Sequence, residues 1–359
     1  MSYFLAALGF AALIILHEAG HFTAAKAVGM RVERFSLFFG PMVAKRQIGE
    51  TEYGIGVIPL GGYVKISGMN PEEPIPPEVA PRAYFNQPVW KRVVVILAGP
   101  AVNLVIAFVI IWALFLTNGQ AVSSTKVAAI EKHSPAAQVL KLNDQIVSVD
   151  GVTGPDNKLR YAIGQDRCSG AQVNGCVAAK PLTVVVRRDG RLVTLRVRPR
   201  YDAAKNYHRM LIGFDFGTKN VPVSAGQAAS LTVTNMWQVT EQTVSAVARI
   251  FEPQDRKQLH GVVGVYSYTQ QAVAQSPSLA LDILALISLS LAIINLFPFL
   301  PLDGGHIFWA LAEKVRGRRI PISVMERAGF VGFALILMLF VIGLSNDVST
   351  LAGKGFSIH

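Results

Sequence analysis

Charge is scarce in this chain. Asp, Glu, Lys and Arg make up 16% of its 359 residues, where a soluble domain carries about 25%. Hydrophobic residues make up 51%. That balance excludes a disordered or collagen-like chain and speaks against an ordinary soluble one. Cysteine is scarcer still, with only Cys168 and Cys176 present, too few for a Cys-based zinc ribbon. They flank a Gly-rich stretch, CSGAQVNGC. The spacing fits one short disulfide if the segment lies outside the cytoplasm, and it fits two unrelated thiols equally well. Acidic residues number 23 against 34 basic ones, a formal net charge of +11. Such a balance suits nucleic acid or flanks that face an anionic membrane leaflet, and the placement of the charges decides. The chain carries no nucleic-acid motif and no internal repeat, and its length fits two domains as a prior.

Long apolar runs are what it does have. Residues 3–28, 93–117, 279–296 and 328–344 each approach the roughly 20 apolar residues that a transmembrane helix needs. His17, Glu18, His21 and Lys26 interrupt the first run. Asn103 is the one strongly polar residue of the second, Asp282 lies near the start of the third, and the fourth has no charge. No basic residue precedes the first run and no small-residue cleavage site follows it, so it reads as a mature helix and not a signal peptide. Lys26, Arg31, Arg34, Lys45, Arg46, Lys65, Arg82, Lys91 and Arg92 fill the first connection, and Lys314, Arg316, Arg318 and Arg319 the last. The positive-inside rule then predicts both basic loops in the cytoplasm, with both termini and residues 118–278 outside.

Between the spans, residues 35–70 are rich in Gly, aromatic and β-branched residues and read as short strands joined by turns. Such a hairpin sheet offers an edge to an extended peptide. The proline-rich residues 71–88 read as an exposed loop. Residues 120–215 read as a compact β-rich domain with strands in KVAAI, DQIVSVDG, PLTVVVRRDG and LVTLRVRPR. SVDG and RRDG are hairpin-turn signals. SPAAQVLKL predicts a short helix with Ser134 as N-cap and Pro135 at its first position. Residues 224–260, with Trp237 and Phe251, predict amphipathic helix, on the outer membrane surface or facing solvent.

The chemistry concentrates in His17-Glu18-Ala19-Gly20-His21. On a helix, residues i and i+4 share a face, so both imidazoles reach one zinc ion with Glu18 beside them. A catalytic zinc takes three protein ligands and keeps an open position, and a carboxylate nearby takes a proton from water. Three ionisable groups inside a membrane span are costly without such a partner. The third ligand is Asp282 or Asp303. His17 and His21 fall in the inner half of span one, which favours Asp303, at the inner end of span three. Pro298, Pro301, Gly304 and Gly305 break the helix there, placing irregular backbone and a carboxylate in the bundle interior. Asp303 also reads as the N-cap of a helix that begins near His306.

HEAGH in the first span, GGYVK in the following loop and NLFPFLPLDGG in a later span resemble the site-2 protease family of intramembrane zinc metalloproteases, in the bacterial branch with a PDZ domain between the second and third spans. The resemblance covers nearly the whole chain. It implies a polytopic α-helical membrane protein with four transmembrane helices, a membrane-associated β-hairpin at 35–92, an inserted PDZ-like α+β domain at 118–218 and linker helices at 219–278. Carried over, His17, His21 and Asp303 hold Zn2+, Glu18 is the general base, and Asn295 holds substrate. Gly61, Gly62, Tyr63, Val64 and Lys65 fall in the hairpin, and Gly61, Gly62 and Tyr63 bind substrate with Asn295. The implied activity is endopeptidase cleavage of transmembrane segments of single-pass proteins, anti-sigma factors or remnant signal peptides, in regulated intramembrane proteolysis at the bacterial cytoplasmic membrane. The implied partners are those substrates and the lipid bilayer, with no nucleic acid.

The chain departs from the family pattern in having room for one PDZ domain and in carrying Asn143 where glycine is usual. The domain therefore reads as a peptide binder, a size filter or a plug. His306 reads as a supporting or packing residue, His133 and His208 as surface residues, and His260 and His359 as lacking ligand spacing. Asn103 reads first as a helix-to-helix hydrogen bond. Gly99 and Pro100 mark close packing or a kink. Two alternatives stand beside the protease: a non-catalytic PDZ-type scaffold, and another membrane zincin, such as a prenyl-protein protease with a glutamate third ligand.

Overall fold

The computed structural model describes residues 2–70, 73–203, 209–249, 252 and 261–353. The chain forms two compact units, Met1–Phe115 with Ala225–His359, and Leu116–Ser224. Helix α1 (Ser2–Ala27) leads into strands β1 (Val32–Ile48) and β2 (Thr51–Ile66), and then into α2 (Val89–Asn118). The inserted unit holds β3 (Gln120–Ile130), β4 (Gln145–Val149), β5 (Val152–Thr153), α3 (Asp156–Gly164), β6 (Leu182–Arg188), β7 (Arg191–Val197), β8 (Arg200–Asp202), β9 (Arg209–Leu211) and β10 (Phe214–Val221). The chain returns through α4 (Ala225–Ala248), α5 (Val262–Gln275), α6 (Pro277–Asn295), α7 (Asp303–Arg316) and α8 (Ile322–Ala352).

Helices α1, α2, α6 and α8 are long and apolar enough to cross a membrane. Two outrun the apolar runs that announce them. Helix α8 continues past residue 344 because its last turns still have a partner. Asp347 is 0% exposed, and its carboxylate accepts the backbone N–H of Gly261 at 3.0 Å and of Gly264 at 2.8 Å, at the start of α5. Helix α4 is neither purely surface-bound nor solvent-bound. Ala228 and Thr232 are buried, Met236 and Val239 pack with Ala107, Leu289 and Ile293, and Trp112 Nε1 donates to the Ala225 carbonyl at 3.1 Å. Trp237 stays exposed. Phe251, His208, His260 and His359 lie outside the described residues.

Residues 35–66 form two long strands, not several short ones. The register shifts repeatedly, so that Arg34–Leu37 pairs with residues 52–55 on one side and 62–65 on the other. The sheet curls over itself and leaves the outer side of Gly62–Lys65 without a strand partner among the described residues. The described part of the proline-rich loop, residues 73–88, is less exposed than its prolines imply. It makes 3-10 turns at Ala80–Arg82 and Tyr84–Asn86, and Tyr84 packs with Met30, Ile66, Val95 and Ile96.

In the inserted unit the sheet order is β10-β3-β4-β6-β7, with β5 paired to β4. Alternating inward residues such as Val184 and Val186 join Val127, Ile146, Val149 and Leu159 in one core. Both predicted hairpin turns form with two left-handed residues each, Asp150-Gly151 and Asp189-Gly190, the geometry that matches strand twist. Asn143 also takes a left-handed φ, 68°, which asparagine tolerates better than most side chains. The helix expected in SPAAQVLKL shortens to a 3-10 turn at Ala136–Gln138, although the Ser134 hydroxyl still accepts the Ala137 N–H at 3.3 Å. Cys168 and Cys176 are joined, their Cα atoms 5.8 Å apart.

Candidate metal centre

Helix α1 brings His17 and His21 onto one face, both 7% exposed. The residue between them decides how deep that face goes. A Cβ at Gly20 would stand 2.6 Å from the Ala98 carbonyl oxygen of α2, so the two helix backbones touch only because residue 20 has no side chain. A Cβ at Gly99 would collide with His21 Nε2. The glycine pair seats the imidazole in α2, and the close packing expected at Gly99 is packing against a histidine.

Helix α2 then orients both rings. His21 Nδ1 donates to the Val95 carbonyl at 2.8 Å, which leaves the Nε2 lone pair as the free one. His17 Nδ1 lies 3.2 Å from the side-chain amide of Asn103. With hydrogen on Nδ1, the ligating form of His17, the amide presents its oxygen there. Asn103 is 0% exposed, and its own carbonyl accepts the Ser288 hydroxyl of α6 at 2.9 Å. The helix-to-helix hydrogen bond predicted for Asn103 forms, and one of its partners is a histidine of the motif.

Asp303 arrives from the break between α6 and α7. The 296–300 loop folds back beneath the first turn of α7 so closely that a Cβ at Gly304 would strike the Leu296 carbonyl, and one at Gly305 the Phe299–Leu300 peptide. The two glycines after Asp303 thus let the carboxylate sit at a tight reversal. Asp303 is the first residue of α7, and the N-cap is Leu302, with no side-chain cap. This corrects the capping reading: the carboxylate points elsewhere. Its Oδ2 lies 3.2 Å from His17 Nε2 and 3.2 Å from His21 Nε2. The two Nε2 atoms are 3.3 Å apart. Asp282, the other candidate, is exposed on the second turn of α6.

That triangle fits zinc. Tetrahedral bonds of about 2.0–2.1 Å separate neighbouring ligand atoms by about 3.3 Å. Asp303 Oδ2 is buried and accepts no hydrogen bond. Two imidazole lone pairs and a carboxylate oxygen converging in this way repel one another unless a cation lies between them. Among the described residues, His17, His21 and Asp303 are the group of ligating side chains close enough to hold one ion.

A cavity of about 390 Å³ opens beside the triangle. His17, Glu18, His21, Gly61, Gly62, Tyr63, Asn295 and Asp303 all line it. Gly62 lies against the carboxylate side chain, where a Cβ would stand 3.3 Å from Glu18 Cγ. Tyr63 is fixed by stacking on Phe39, ring centroids 5.8 Å apart, and by Arg34, which donates to its hydroxyl at 3.1 Å. Lys65 is instead held by Glu73 and by Glu33, the latter at 2.9 Å; these carboxylates raise its pKa. It anchors the strand. His306 lines this cavity and also a small one with Tyr84, Arg92 and Glu313. His133 is exposed. Sequence reasoning missed the contact of Gly99 with His21 and the hydrogen bond from His21 to the Val95 carbonyl. The GP beside Asn103 in the second span was the signal that could have pointed to them.

Comparison with known proteins agrees with this chemistry. Residues 5–339 match the profile of Peptidase family M50. A Campylobacter jejuni protein named as a zinc metalloprotease is 27% identical over 351 residues, covering 95% of this chain and 92% of its own length. One from Clostridium perfringens is 29% identical, covering 96% and 97%, and one from Mesorhizobium japonicum 30% identical, covering 94% and 95%. The chain belongs to Peptidase family M50, the site-2 protease family, and is a zinc-dependent metalloprotease.

Proposed function

We propose that this protein is an intramembrane endopeptidase that cuts transmembrane segments of single-pass membrane proteins, with His17, His21 and Asp303 as the zinc ligands and Glu18 as the general base. The observation that carries this reading is the 3.2–3.3 Å triangle of two Nε2 atoms and one carboxylate oxygen, buried beside a cavity that Glu18 and an unpaired strand edge share. Zinc in such a site acidifies water to a pKa of about 7 and polarises a carbonyl. Glu18 takes the proton of the attacking water and delivers it to the leaving amine. A substrate helix must unwind first, because its carbonyls are tied up in hydrogen bonds. The side of Gly62–Lys65 that no described strand pairs, where the Val64 N–H donates to Glu18, offers those backbone groups new partners by strand addition. Asn295, at the end of α6, also lines the cavity and donates to the substrate backbone.

The surroundings follow the same reading. Both termini and the inserted unit lie outside the bacterial cytoplasmic membrane, and the basic loops lie inside. The inserted unit is PDZ-like. Support comes from β10, which occupies the sheet edge, and from a cavity of about 450 Å³ lined by Phe214 and Phe216 of that strand and by Arg160 and Ile163 of α3. Its role is to receive or screen the remnant of a first cut made outside. The substrates are anti-sigma factors or remnant signal peptides, in regulated intramembrane proteolysis. The test is cleavage of a panel of single-pass reporter segments, signal-peptide remnants included, by the detergent-purified chain. Glu18→Gln should retain zinc and lose cleavage by about 10²- to 10⁴-fold. Full cleavage by that variant would rule the mechanism out.

A further inference from the structure

Arg92, Val95, Gly99 and Asn103 recur at spacings of three, four and four, so they share one face of α2. All four are buried. Three of them address the histidines: Asn103 meets His17, while the Val95 carbonyl and Gly99 hold His21. The fourth addresses the helix of the third ligand. Arg92 donates to Glu313 of α7 at 2.5 Å, with side chains only 8% and 11% exposed. Glu313 lies ten residues beyond Asp303, about 15 Å along the helix axis, so the pair cannot touch the triangle and acts only through α7.

The pair is an expensive way to join two helices. Two desolvated charges in an apolar setting often contribute less stability than well-packed apolar residues would, and their best-attested use is to fix register. The gap that Arg92 and Glu313 share with Tyr84, His306 and Trp309 is about 10 Å³, at the lower limit for one water. Arg92 also lies against the Tyr84 ring, 5.9 Å from its centroid. At the other end of α7 the 296–300 loop lies against Gly304 and Gly305, and Ile307 packs on the cluster that holds Tyr84, Val95 and Ile96. Apolar packing is non-directional, so the directional contact that fixes rotation and slide is the one at Glu313.

We propose that Arg92–Glu313 is a positioning pair, which sets the register of α7 on α2 and so places Asp303 against His17 and His21. All three ligands then take their places from one helix that supplies none of them. The inference rests on the zinc reading above. Its test is zinc affinity, measured by chelator competition on the full-length purified chain, together with the melting midpoint of the metal-free form. Glu313→Gln should weaken zinc binding more than threefold, toward the 10- to 100-fold lost when a ligand's direct hydrogen-bond partner is removed. The apolar double variant Arg92→Met/Glu313→Leu should melt, metal-free, at or above the parent's midpoint, yet still bind zinc more than threefold more weakly. Arg92→Lys should recover part of the affinity. A double variant that binds zinc within threefold of the parent overturns the proposal, because packing alone then suffices. If the double variant does not fold, Glu313→Gln decides by the same threefold limit. A parent that binds no zinc refutes the zinc reading itself, whereas a zinc-binding parent with equally tight variants refutes only the pair.

Discussion

The two units of this chain bury opposite things. The 116–224 unit hides Val127, Ile146, Val149, Leu159, Val184 and Val186, and its buried polar side chains among the described residues are Ser134 and Asp144. Both serve the local fold. Ser134 accepts from the Ala137 N–H, and Asp144 accepts from Lys141 N–H and Arg188. The helical unit exposes Phe4, Leu8, Val105, Val109, Phe330 and Val341, and buries His17, His21, Arg92, Asn103 and Ser288. Water surrounds the first and, on the reading above, lipid the second, so the same physics places polarity on opposite sides. Some buried polar groups of the helical unit serve its fold, as Asp347 does at the start of α5, but His17, His21 and Asn103 meet one another, and those partners outline the site.

Substitutions can break or sharpen this contrast. The largest effect is expected at the triangle: His21→Ala should remove zinc and cleavage together and leave the inserted unit folded, as measured by metal content beside hydrogen exchange in β4 and β6. Gly99→Ala sets two effects against each other. Alanine favours a helix interior by about 1 kcal/mol, but its methyl meets the His21 ring. We expect zinc affinity to fall at least tenfold, measured by chelator competition; unchanged affinity would mean that the helices part freely. Asp144→Asn should do the reverse, costing the inserted unit about 1–3 kcal/mol with zinc content unchanged. Arg188 holds the Asp144 carboxyl below its ordinary pKa. Its contribution is therefore present above the unfolded value of about 3.9 and is lost as pH falls further. The smallest effect is at the turn of the β-hairpin. Arg82 and Lys26 hold Glu50 down to about 2, below the unfolded value of about 4.3. That stabilisation is full above the unfolded value and disappears as pH falls toward 2. Because the pair is partly exposed, Glu50→Gln should cost under about 1 kcal/mol, read as a flatter acid-side profile of hairpin hydrogen exchange.

Some of this was legible in the sequence because its cause is local. His17 and His21 needed only helix periodicity, and the hairpin turns at Asp150-Gly151 and Asp189-Gly190 needed only two residues that accept positive φ. Asp303 was legible because few ionisable groups lie near membrane depth. The curl of the β1–β2 sheet was not legible, because its doubled register depends on Arg34–Leu37 pairing on both sides at once. The extra turns of α8 were not, since they depend on Asp347 accepting the Gly261 and Gly264 N–H groups, a contact between segments far apart in sequence. Nor was the role of α2, whose contribution is a carbonyl, a missing Cβ and an amide, none of which carries a metal-ligand signature.

The most direct test is X-ray absorption at the zinc edge of the purified chain, with Asp303→Asn beside it. Two imidazole nitrogens and a carboxylate oxygen at about 2.0–2.1 Å, with the oxygen shell altered and zinc weakened in Asp303→Asn, are the predicted result. Zinc held by a different ligand set, or an identical spectrum and occupancy in the variant, would contradict the site.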